Sequence, residues 1–136
     1  MPISHKVMSD PPLMLVRRWG DIDTQDERAA CAAREADPRV VPGLPVLVDA
    51  TGVERADTVE VIRYLADCVT HTAATLQCGP VAIVVASDVQ YGMARMYMAL
   101  TETAHPDTEV FRGIQAARHW LARETGDTRL AAAEAG

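Results

Sequence analysis

Pro45-Val46-Leu47-Val48-Asp49-Ala50 and Val81-Ala82-Ile83-Val84-Val85-Ala86-Ser87-Asp88 are the two stretches that decide the fold. Each is a short apolar run that feeds a helix. After Asp49, the loop Thr51 to Ala56 leads to a helix starting near Asp57. There Val61, Ile62, Leu65, Cys68, Val69, Thr72, Ala73 and Leu76 recur at spacings of three and four, with Glu60, Arg63 and Asp67 outside the stripe. The run from Val81 to Ala86 does not alternate, which suits a strand covered on both faces. Ser87 to Gln90 then offers a capping box for a helix reaching about Thr103.

The pattern extends outward from these two units. Ile3 to Met8 and Leu13 to Trp19, joined through Ser9-Asp10-Pro11-Pro12, predict a hairpin. Thr24-Gln25-Asp26-Glu27 fits a capping box for a first helix, and Asp37-Pro38 ends it. Glu109 to Arg112 predicts a short strand and Ile114 to Arg123 a last helix. Strands alternating with helices imply right-handed crossovers in a mainly parallel sheet. The expected fold is a single α/β domain over residues 1–125, a mixed, mainly parallel sheet with an N-terminal hairpin and about four helices. The Ala-rich residues 126–136 carry no large apolar stripe and are expected to form a mobile tail.

At 136 residues the chain suits one domain. Its formal charge of −6, with no Lys/Arg cluster, disfavours nucleic acid. The longest apolar run is too short to span a membrane. Cys31, Cys68 and Cys78 form no Cys-x-x-Cys pair, and a cytoplasmic protein with reduced thiols is expected. His5, His71, His105 and His119 are scattered without metal-ligand spacing. There is no Gly-x-Ser-x-Gly elbow and no complete phosphate loop. No catalytic residue, metal or cofactor is therefore assigned. Asp49 ends a strand, where catalytic acids sit in parallel sheets, but Asp is also an ordinary loop starter. At the third helix Ser87 caps the free amides and Asp88 opposes a phosphate, so a neutral or apolar ligand suits that mouth better than a nucleotide.

The third helix is apolar on two sides. Val89, Met93, Met96, Tyr97 and Leu100 are expected to face the core. Tyr91, Ala94, Arg95 and Met98 lie largely on another face, and Tyr91, Arg95 and Met98 are candidates for a contact surface, between subunits or around a ligand. Gly92 between them suggests a close approach.

Three motifs carry a family resemblance: Pro42-Gly43-Leu44-Pro45-Val46-Leu47-Val48-Asp49, Ala86-Ser87-Asp88-Val89-Gln90-Tyr91-Gly92-Met93-Ala94-Arg95-Met96, and Val110-Phe111-Arg112 with Ala117 and Trp120-Leu121. Over Leu13 to about Leu121 the chain resembles the SpoIIAA-like proteins, related to the STAS domains of sulfate transporters and anti-sigma-factor antagonists. The resemblance implies the fold above and a regulatory role without enzymatic activity. In regulatory STAS domains a Ser or Thr at a helix start accepts phosphate from a partner kinase. That motif falls on Asp57-Thr58-Val59-Glu60, making Thr58 the candidate phosphoacceptor, although Val59 and Glu60 depart from the pattern. The expected partners are a second copy of the chain, as a homodimer, and a regulatory protein. The alternative is a carrier of an apolar or lipid-like ligand, with a pocket near the third helix.

Overall fold

The computed structural model describes residues 2–76, 79–104 and 107–132, with backbone only for 72–76. Strands β1 (Ile3–Ser9) and β2 (Pro12–Gly20) form the expected hairpin, and β3 (Val46–Val53), β4 (Val81–Val84) and β5 (Thr108–Phe111) follow parallel to β2. Their spatial order is β1-β2-β3-β4-β5. The two runs that open the sequence are thus interior strands, as their unbroken apolar character requires. Five helices accompany the sheet among the described residues: α1 (Thr24–Ala36), α2 (Val59–Leu76), α3 (Asp88–Thr101), α4 (Ile114–Thr125) and α5 (Arg129–Ala132).

Side-chain alternation divides the core. On the face covered by α4, Leu13, Leu47, Ala82 and Val84 pack against Ala117, Leu121 and Ala122. On the other face Met14, Val16 and Val46 join Ala30 of α1 at one side, while Ala50, Val85 and Val110 join Ala94 of α3 at the other. Between these two clusters lies α2, which leans on α1 and α3 rather than on the strands.

The helix starts lie where the sequence places them, but their caps differ in detail. Asp23, not Thr24, caps α1: its carboxylate accepts from the Asp26 amide while Asp26 accepts from Asp23. The box is one residue earlier than Thr24–Glu27, and Glu27 on the first turn is buried. Thr58 caps α2, its Oγ1 accepting from the Val61 amide at 3.2 Å. Ser87 caps α3 as expected, but the Gln90 side chain reaches the amide of Ala86 rather than that of Ser87.

The chain beyond Gly126 also departs from expectation. Gly126 ends α4 with φ +77°, a left-handed conformation suited to glycine. The following turn returns as α5, and Leu130, 1% exposed, completes the α4-side core. A single large apolar residue with no stripe around it gives no periodic signal, so this docking was not legible. Residues 133–136 lie outside the described residues.

Two loops touch closely at the far end of the sheet. The Gly79 amide donates to the Leu44 carbonyl, and a Cβ at Gly79 would lie 2.5 Å from the Gly43 oxygen. Gly92 has no such role: it faces open space.

Candidate functional site

Val48 of β3 and Ile83 of β4 are register partners in the middle of the sheet, on the face towards α2. Both are only half-buried, whereas Leu47 and Ala82, one residue back and on the opposite face, are fully buried. An interior strand pair is left partly uncovered because α2 stands off the sheet. The space between them is an apolar cavity of about 150 Å³. Val48 and Ile83 form its floor, Leu65 and Val69 of α2 its roof, and Met93 and Tyr97 of α3 one wall. Lining residues run along β2 from Met14 to Arg18, about 13 Å at roughly 3.3 Å per residue.

The end nearest the strand carboxyl termini is polar. Arg18 follows Met14 and Val16 on the inward face of β2 and is buried. Its Nη2 donates to Oε1 of the fully buried Glu27 and, at 3.2 Å, to Oδ2 of Asp57. Burial pulls the Arg18 pKa down, but the Glu27 and Asp57 carboxylates outweigh it and the net shift is upward. Asp57 and Arg18 line the cavity, and Glu27 stands behind them. Two buried oxygens in this cluster, Glu27 Oε2 and Asp57 Oδ1, have no hydrogen-bond partner. Gln90 also lines the cavity, but both ends of its amide are engaged, with the Ala86 amide and the Val53 carbonyl. At the other end Arg34 of α1 lines the cavity, its Nη2 donating to Cys31 Sγ.

The residues singled out in the sequence are distributed as follows. Thr58 is exposed and immediately follows Asp57. Tyr91 and Met98 pack against the Ala50, Val85, Ala94 and Val110 cluster, so they face the sheet, while Arg95 is exposed. Val89 and Leu100, expected in the core, are 65% and 47% exposed. Ala94 and Thr101, small and uninformative in hydropathy, mark the most buried line of α3. Met93 and Tyr97, expected to face inward, do line the cavity. Asp49 serves a local turn, accepting from the Thr51 amide and hydroxyl. His5 bonds Asp37 at 2.8 Å, and His71 and His119 are exposed. His105 and the side chain of Cys78 lie outside the described residues. Among the described residues no group of three His, Cys, Asp or Glu side chains could hold a metal ion. None of the described helices is long and apolar enough to cross a membrane.

Sequence patterning does not bring out the Arg18–Glu27–Asp57 cluster. Its one signal is a charge at an inward strand position, in register with Met14 and Val16, while the capping-box pattern assigns Glu27 to a helix start. Compared with known proteins, the chain matches no family model and no curated protein.

Proposed function

We propose that this domain is a non-enzymatic binding module that holds a small, largely apolar ligand between its sheet and α2–α3. The observation that carries this reading is the half-buried pair Val48 and Ile83 on two interior strands, facing the cavity under α2. Interiors are normally packed to crystal density, and apolar side chains left facing a void forgo dispersion contacts that an occupant restores. Size narrows the occupant. A cavity of about 150 Å³ admits a molecule the size of benzene, not a two-chain lipid. An enzyme is disfavoured because the two carboxylates are tied to Arg18, and only Asp57 of the pair lines the cavity. Native mass spectrometry of the freshly purified protein tests the reading: a mass excess of a few hundred daltons or less, removed by solvent extraction, is expected. A bare protein that also gains no thermal stability from saturating benzyl alcohol would contradict it.

A second reading follows the STAS resemblance, as a cytoplasmic regulatory domain with a protein partner or a second copy. Thr58 supports it by being exposed at a helix start, where a kinase has access. The exposed Val89 and Leu100 of α3 give such a partner an apolar contact. Incubation with candidate kinases should modify Thr58 and not Thr58→Ala. Glu60, two residues away, opposes an added phosphate.

A further inference from the structure

We infer that the cavity selects a protonated primary amine carried on a compact apolar body, with the amine seated against Asp57. This rests on the cavity being a ligand site and adds the chemistry of the ligand's head.

The argument starts from charge. Arg18 supplies one positive charge to two carboxylates, the fully buried Glu27 and the mostly buried Asp57, whose side chain is 16% exposed. One guanidinium cannot neutralise both, so the ionised cluster carries a net negative charge beside an apolar wall. Buried charge of this kind is costly unless paired and hydrogen-bonded. Hydrogen bonding points the same way. A carboxylate only accepts, and Asp57 Oδ1 and Glu27 Oε2 both lack a donor. Asp57 lines the cavity, and a donor there reaches Oδ1, itself buried, once the carboxylate turns towards it. The other polar group at that end, Gln90, is occupied at both its oxygen and its nitrogen. An ammonium offers three donors and no acceptor. It therefore matches what the cluster lacks in both charge and hydrogen bonding. A carboxylate ligand would bring a third anion against two, and the remaining cation of the cavity, Arg34, sits near the opposite end.

Calorimetric titration of the full chain with benzylamine, benzyl alcohol and benzoate tests this, because the three probes share a body and differ in the head. The amine should bind about ten-fold or more tighter than the alcohol, the gain expected of a charge-assisted bond, and benzoate should bind weakest. Asp57→Asn should bring the amine close to the alcohol, with circular dichroism showing that the variant is folded. Benzoate binding as tightly as the amine, or alcohol and amine binding equally to the unaltered chain, would overturn the amine inference and leave the cavity reading standing. Binding of none of the three would overturn both. The ranking on the unaltered chain decides the matter even if Asp57→Asn does not fold.

Discussion

Arg18 is carried inward by the strand register that buries Met14 and Val16, and meets Glu27 on the first turn of α1. The two are interdependent. Removing Glu27 leaves a buried guanidinium with one partner, so Glu27→Ala should cost about 3–5 kcal/mol in urea unfolding, far more than an exposed ion pair such as Arg55–Asp21. A loss below about 1 kcal/mol would mean that the pair is solvated. Cys31 illustrates a different kind of burial. Its thiol is pushed up to about 11, chiefly by desolvation, against the opposing charge of Arg34. Because the thiolate is the reactive form, alkylation of Cys31 should be slow at neutral pH and should rise only as pH approaches that value. Peptide mapping after iodoacetamide treatment across a pH series checks this, and rapid labelling at pH 7 would contradict it. Arg118 is also buried, with Nη1 unpartnered and its pKa drawn down by burial, and nothing in the structure explains it.

Among the elements, strands and helix starts were legible because each rests on local chemistry. Apolar runs gave β3 and β4, the Pro-containing turn gave the hairpin, and Ser87 gave the start of α3. What was not legible depends on how far elements stand apart. The stripe of α2 predicts a helix with Ile62, Leu65 and Val69 turned inward, and Ile62 is indeed buried. The same stripe does not reveal that Leu65 and Val69 face a cavity instead of the sheet. Nor does the lone Leu130 announce α5. The two leucines should therefore respond differently to truncation. Leu130→Ala removes a fully packed side chain and should cost about 2–5 kcal/mol. Leu65→Ala only widens an existing void around a half-buried side chain and should cost about 1–2 kcal/mol, on the scale of partial burial. Urea unfolding of both variants measures the difference, and equal losses would argue that α2 is packed tightly on the sheet.

At the scale of the whole molecule, α4 and α5 pack on one face of the sheet over β3 and β4, while the other face is covered by three helices with a gap under the middle one. That asymmetry separates stability from function. The core under α4 holds the fold, and the face under α2 offers volume, an apolar lining and one polar end. The hairpin edge and the far loops add pH sensitivity of a definite sign. Asp37 is held below the usual carboxylate range by Arg39 and then by His5, and Asp127 is lowered by Arg129. Both pKa values are depressed on folding, so their contribution is present above the ordinary value near 3.9 and is lost as pH falls through the folded values. The claim on which the functional reading depends is that the space between sheet and α2 admits a ligand. Methyl-labelled protein titrated with benzyl alcohol and followed by two-dimensional NMR tests it most directly. The account predicts saturable shifts at Val48, Leu65, Val69 and Ile83, with Leu47 and Leu121 in the core under α4 unmoved. Shifts confined to exposed residues such as Val89 and Leu100, or none that saturate, would contradict it.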